Sequence, residues 1–286
     1  MHLKKHLSFN ALREALSDRF NQIHDLRQNA KVDYPLHDCL MSGFAMMFFQ
    51  DPSLLAFQQR IQDSIERNNL STVFNVDTIP KDTQMRDILD PIESQAIAPV
   101  FSDFLLRLQR GKQLARYRFI DDMYLISMDG SQYFSSEKIN CPNCLVTQSK
   151  NGKPRYHHQI LQPAIVDPDI KQVLPLAPEQ ISNQDGAEKQ DCEINAGKRC
   201  IKKIREAHPK LKIIITADSL FSKQPFIDEL KKTDMSFILV AKPTDHKVLF
   251  EWVNDLTQLG EGGSLQLTDS KGRRHCYQWV NKVPLN

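Results

Sequence analysis

Two aspartates carry most of the chemistry this sequence can offer. Asp129 closes the apolar run "MYLISMD" and stands before Gly130, and Asp218 closes "IIITAD" and stands before Ser219. In parallel α/β sheets, functional groups collect at the carboxyl ends of strands. If the two runs are neighbouring strands, both carboxylates project at one sheet edge. Close carboxylates repel unless a cation lies between them. Such oxygen donors suit Mg²⁺ or Mn²⁺, with water and phosphate completing the shell. Ions held in this way can activate an attacking hydroxyl and stabilise the leaving oxygen of a phosphodiester. The plainer reading is a pair of turn caps, because Asp before Gly or Ser accepts local backbone hydrogen bonds. Asp121 and Asp122 precede the first run and belong to its opposite end.

A second group has softer donors. Cys141 and Cys144 form a C-P-N-C pair shortly after Asp129, and a His157-His158 doublet follows. Cys141, Cys144 and His157 supply three ligands for Zn²⁺, with Cys192 or Cys200 as a fourth in space. Against this stands a loop merely stiffened by reduced cysteines. Cys39 sits in an apolar helix and reads as core, and Cys276 falls in the last hairpin.

The clearest basic run, "RLQRGKQLARYR", holds Arg107, Arg110, Lys112, Arg116 and Arg118, groups that can meet DNA phosphates. Tyr133 and Lys138 lie nearer Asp129 and can meet a DNA strand there. Lys198, Arg199, Lys202, Lys203 and Arg205 form another cluster, explained equally well by a solvated helix face. Trp252 and Trp279 are candidates for base stacking, with buried packing the better reading.

The elements that must position these groups fall into two kinds. From Asn10 to about Arg118 the text is helical: "NALREALSDRFNQI", "PLHDCLMSGFAMMFFQ", "SLLAFQQRIQDSIERN", "KDTQMRDIL" and "IAPVFSDFLLRLQRG" each carry apolar residues at helical spacing or all round. At Arg116 the period changes. Strands are expected from Met123 to Met128, His157 to Val166 and Gln172 to Ala177. A helix follows within Glu188–Pro209, with an inward stripe of Ile194, Ile201 and Ile204. Next come the strand "LKIIITAD", the helix "KQPFIDELKKTD" and a buried strand "MSFILVAKP". An antiparallel trio followed by strand-helix-strand units predicts a mixed α/β sheet with crossovers covering its faces. "DHKVLFEWVNDLTQLG" is helical, and "GSLQLTDSKGRRHCYQWVNKVPLN" alternates like a β-hairpin.

Composition sets the outer bounds. The 286 residues are 41% hydrophobic and 25% charged, ordinary for a globular protein, and suggest one large domain or two smaller ones. A formal net charge of +2 gives little sign of a polyanionic partner, so any positive surface must come from local clustering. Six irregularly spaced cysteines do not make a secreted disulfide scaffold. No signal-peptide core or membrane-length apolar run is present, so a cytoplasmic protein without membrane contact is expected.

Several stretches together resemble the IS4-like family of DDE transposases: "ISMDGSQYFSSEKINCPNC", "YHHQILQPAIVDPDIKQVLPLAPE", "DGAEKQDCEINAGKR", "LKIIITADSLFSKQPFIDEL", "MSFILVAKPTDHKVLFEWV" and "IPKDTQMRDIL". The resemblance implies an α/β fold in three parts. These are a helical N-terminal region over 1–118 for DNA or multimer contact, a ribonuclease H-like mixed sheet over 119–243, and the start of a β-rich insertion over 244–286. It implies that Asp129 and Asp218 are the first two catalytic acids, binding Mg²⁺ or Mn²⁺. It also implies DNA cleavage and strand transfer at a mobile element's terminal inverted repeats and target DNA, within a homo-oligomer or beside a full-length transposase. The family's third acid, a glutamate on a helix beyond the β-rich insertion, has no counterpart before Asn286, so the chain reads as truncated and, alone, inactive. The alternative is a non-catalytic DNA-binding fragment. Glu193 is the remaining candidate acid, since ribonuclease H enzymes carry a glutamate on the corresponding helix. Its plainer role, like that of Asp191, is to favour the positive end of that helix or to form a salt bridge.

Overall fold

The computed structural model describes residues 5–28, 32–149, 151–183 and 190–285, with only the backbone described at Ser64 and Glu66. The chain divides into two compact units, one of residues 1–117 with 174–177 and the other of 118–173 with 178–286.

The first unit is helical: α1 (Phe9–Asn21), α2 (Leu36–Phe48), α3 (Leu54–Arg60), α4 (Ser64–Phe74), α5 (Asp82–Leu89) and α6 (Pro99–Arg110). Ser8 caps α1 by accepting the Ala11 N–H, and Pro99 opens the first turn of α6, where its missing donor costs nothing. On α2, Cys39, Met41 and Ala45 are fully enclosed against Phe57, Leu70 and Phe74, whereas Met47 and Phe48 at its end are exposed, so the helix packs by part of its surface and not all round. "SLLAFQQRIQDSIERN" forms two helices instead of one. Asp63 Oδ1 accepts the Ile65 N–H at 2.8 Å, which starts a new helix where the old one would have continued. Asp38, buried on α2, accepts the N–H groups of Asp77 and Thr78, both at 3.1 Å, and ties down the chain beyond α4.

The second unit is a mixed α/β sheet with β1 (Tyr124–Ser136), β2 (Leu145–Gln148), β3 (Pro154–Asp167), β4 (Ile170–Pro175), β5 (Glu179–Ile181), α7 (Glu193–Ala207), β6 (Ile213–Ala217), α8 (Gln224–Lys232), β7 (Ser236–Leu239), α9 (Lys247–Gln258), β8 (Gly263–Thr268) and β9 (Arg274–Trp279). The main sheet has the order β2-β3-β1-β6-β7, with β4 and β5 also paired to β3, and β8 and β9 form a separate antiparallel pair. β1 runs antiparallel to β3 and parallel to β6, which runs parallel to β7. The short β2 and β5 carry no strong strand pattern and escape the sequence reading. Residues 188 and 189, within the stretch expected to hold α7, lie outside the described residues.

Two expectations about packing fail. β7 is not buried: Phe237 is 37% and Ile238 51% exposed, because β7 is the sheet's last strand on that side. Trp252 and Trp279 are each 48% exposed instead of packed inside. The Trp279 ring lies across Gly263, where an added β-carbon would come within 2.3 Å of it, so one face of the indole covers bare backbone and the rest meets solvent. No helix among the described residues is long and apolar enough to cross a membrane.

Candidate functional site

The expected strand ends at Met128, but β1 continues for eight more residues to Ser136, so Asp129 lies mid-strand, opposite Gln162 of β3. What ends near Asp129 is the neighbour. β6 is paired from Tyr124↔Ile213 to Ser127↔Thr216 and stops at Ala217. Continuing that register by two residues brings Asp129 level with Asp218. Backbones of adjacent strands stand about 4.8 Å apart. Side chains alternate between sheet faces, and Ile126 and Met128 are buried on one face, so Asp129 belongs to the other. The same alternation in β6 assigns Asp218 to that second face. Both aspartates are exposed.

Asp218 also performs the plainer role: its Oδ1 accepts the Leu220 N–H at 2.9 Å and shapes the turn into α8. That bond fixes the carboxylate's orientation and occupies one oxygen. The Asp129 carboxylate accepts no hydrogen bond among the described residues. Oxygen donors so placed fit a hard divalent cation. Glu193, at the start of α7, approaches the same stretch of β1 from the opposite face. Its carboxylate lies against Gly130, where a β-carbon would come within 2.5 Å of it, and it accepts from Gln159 Nε2 at 2.5 Å. Only a residue without a side chain admits this approach. Asp129, Asp218 and Glu193 do not form a group with all donor atoms within 4.8 Å of one another among the described residues.

Such a group does exist further along β1, with one correction. It comprises Cys141, Cys144 and His158, not His157. His157 is 8% exposed and shares the packed face with Leu161 and Ile165, and its Nδ1 is buried without a partner among the described residues. Strand alternation turns His158 to the other face. Its Nε2 lies 3.2 Å from Cys141 Sγ and 3.4 Å from Cys144 Sγ, and the two sulfurs are 3.6 Å apart. Burial pushes the Cys144 thiol up, and burial with the His157 charge pushes the His158 imidazole down, so without a cation both groups favour their neutral forms. Neither suggested fourth ligand joins the group. Cys200 is buried in α7 with its thiol pushed up to about 12, and Cys192 precedes that helix. Beside the group, Tyr133 is 60% exposed and stacks on His158 with ring centroids 5.8 Å apart. Lys138 is exposed in the loop leading to Cys141.

Of the basic candidates, Arg107 and Arg110 line a cleft of about 420 Å³ in the helical unit, together with Arg19, His6 and Asp103. Lys112 and Arg116 are exposed, and Arg118 pairs with Asp122 at 3.3 Å. Four of the five basic groups on α7, all but Lys198, are spent internally. Arg199 holds Glu179 and Asp191, Lys203 holds Glu179, and Lys202 holds Glu229. Arg205 donates to five backbone carbonyls, those of Thr233, His208, Pro209, Leu211 and Asp234.

No protein-family model matches the sequence, and no curated protein matches it. Among solved structures, the chain aligns with the piggyBac transposase synaptic complex with hairpin DNA at 12% identity and a TM-score of 0.35, over 93% of this chain. It spans 57% of that chain's length. It also aligns with the Mos1 mariner paired end complex with Mn at 13% identity and a TM-score of 0.22, over 84% of this chain and 72% of that one. The residues and their geometry must carry the functional reading.

Proposed function

We propose that this chain is a transposase-like protein of the IS4-like kind with a ribonuclease H-like core. It acts in metal-dependent DNA cleavage and strand transfer at the terminal inverted repeats of a mobile element. The observation that supports this reading is the parallel pairing of β1 with β6, whose register, continued two residues, brings Asp129 level with Asp218, both exposed. These two carboxylates would hold Mg²⁺ or Mn²⁺, which when bound activates the attacking oxygen and neutralises charge on the scissile phosphate. The protein contributes orientation: β1 fixes Asp129, and the bond to Leu220 N–H fixes Asp218. Glu193 adds negative charge from across the sheet. Arg110, Lys112 and Arg116, exposed in the helical unit, are proposed to meet phosphates.

A second reading, DNA binding without catalysis, is favoured by the lack of a third carboxylate converging on the pair among the described residues. Phosphoryl chemistry needs preorganised charge, and two acids supply part of it. Titration of Mn²⁺ by electron paramagnetic resonance, with nicking of duplex DNA as a second readout, separates the possibilities. The expected result is Mn²⁺ binding abolished by Asp129→Asn and by Asp218→Asn, with duplex binding retained. Mn²⁺ binding unchanged in both variants would sink the metal-site reading. Reproducible cutting lost in Asp129→Asn would overturn the non-catalytic one.

A further inference from the structure

The three donors at the far end of β1 are arranged as a zinc site independent of the carboxylate pair. A tetrahedral Zn²⁺ has bonds of about 2.3 Å to sulfur and 2.0–2.1 Å to imidazole nitrogen. It therefore holds two sulfurs about 3.8 Å apart and each sulfur about 3.5 Å from the nitrogen. The observed separations of 3.6, 3.2 and 3.4 Å fall within a few tenths of an ångström of those values. All six cysteines are free thiols, and a disulfide would bring the sulfurs to about 2.05 Å.

The backbone around the pair is shaped for a metal-bound sulfur. The Cys144 N–H donates to the Cys141 carbonyl at 3.1 Å and closes the C-P-N-C turn. The Cys141 N–H points back at Cys144 Sγ at 3.3 Å, a donor that stabilises a thiolate. The third ligand comes from a rigid strand: His158 sits opposite Phe134 where the β1 register shifts by one residue around Tyr133. On the other side, Gln190 pairs with both the N–H and the carbonyl of Val146, securing β2 immediately after Cys144.

We infer that Cys141, Cys144 and His158 bind one Zn²⁺ as two thiolates and a neutral imidazole, with water in the fourth position. The exposed Cys141 side of the group leaves room for that water. Binding releases the two thiol protons to solvent and involves no redox change. The ion's role is to hold the loop between β1 and β2 against β3, and with it the imidazole on which Tyr133 stacks. His158 faces Phe134, five residues beyond Asp129 on β1, so the two sites are separated by roughly 17 Å along the strand.

The experiment uses the full chain, purified under reducing conditions and supplied with Zn²⁺. Bound metal is measured by elemental analysis and by competition with a chromophoric chelator, and the Co²⁺-loaded protein is examined by absorption. About one Zn²⁺ per chain is expected, falling to near zero in Cys144→Ser and His158→Ala. His157→Ala is expected to retain the ion. Co²⁺ loading should show thiolate charge transfer with the intense d–d bands of a tetrahedral site. Because His158→Ala also removes a stacking partner, Cys141→Ser serves as the milder variant and is read by the same metal content. Folded protein that binds no Zn²⁺ would overturn the inference. So would retention by both His158→Ala and Cys141→Ser, or loss in His157→Ala with retention in His158→Ala.

Discussion

The two candidate metal sites of the α/β unit differ in nearly every respect. At Asp129 the ligands are exposed oxygens from two adjacent strands, one carboxylate is partly engaged by a turn, and no third acid closes the group among the described residues. At Cys144 and His158 the ligands are soft, already at metal-like separations, and braced by a turn and by strand pairing. The difference follows from what each site does with its ion. The zinc ligands stand on backbone fixed by a turn and by strand pairing and leave one position to water. A hard divalent ion takes six or more oxygen donors, so two carboxylates leave most of its positions to water and substrate.

The sharpest test of this contrast is selectivity. Cys144→Ser should abolish Zn²⁺ binding and leave Mn²⁺ binding unchanged, while Asp129→Asn does the reverse. Parallel Zn²⁺ and Mn²⁺ titrations of both variants check this, and a variant that loses both ions would merge the sites into one. A smaller effect, on the scaffold, is expected from Arg199→Met. That guanidinium bonds Asp191 and Glu179, whose side chains are 1% and 7% exposed; its removal strands buried Asp191, while Lys203 still holds Glu179. The cost should be about 3–5 kcal/mol in urea unfolding, with Zn²⁺ content unchanged. The smallest effect belongs to Glu193→Gln, which keeps the contact with Gln159 and removes only the charge. Mn²⁺ affinity should fall by less than in either aspartate variant, through the loss of charge across the sheet, and Zn²⁺ affinity not at all. Calorimetric titration decides it. An unchanged Mn²⁺ affinity would confine Glu193 to packing against Gly130.

Much of this was legible in the sequence because the signals were local. The helical unit showed itself by apolar spacing, and the α/β region by the runs ending at Asp129 and Asp218. The adjacency of those runs stood in the sequence only as a condition, and both it and their register needed coordinates. The ligand at position 158 was within reach: Leu161 and Ile165 mark the buried face of β3, and counting by twos from them puts His157 inside and His158 out. Choosing His157 from the doublet without that count took the inward residue. β2 and β5 were invisible because their few residues draw their order from β3 rather than from a pattern of their own. The contact between Glu193 and Gly130 joins residues far apart in sequence, and nothing local announces it. The exposure of Phe237 and Ile238 was missed for a related reason, since an apolar run does not reveal whether a further strand lies beyond it.

The five carbonyls gathered by Arg205 have a consequence for how the sheet responds to its surroundings. They lie just before β6 and β7 begin, at the opposite end of β6 from Asp218. A guanidinium keeps its charge throughout the range in which proteins remain folded, and carbonyl acceptors have no proton to gain. That clamp is therefore indifferent to acidification, and it ties the starts of β6 and β7 to the last turns of α7 through backbone acceptors alone.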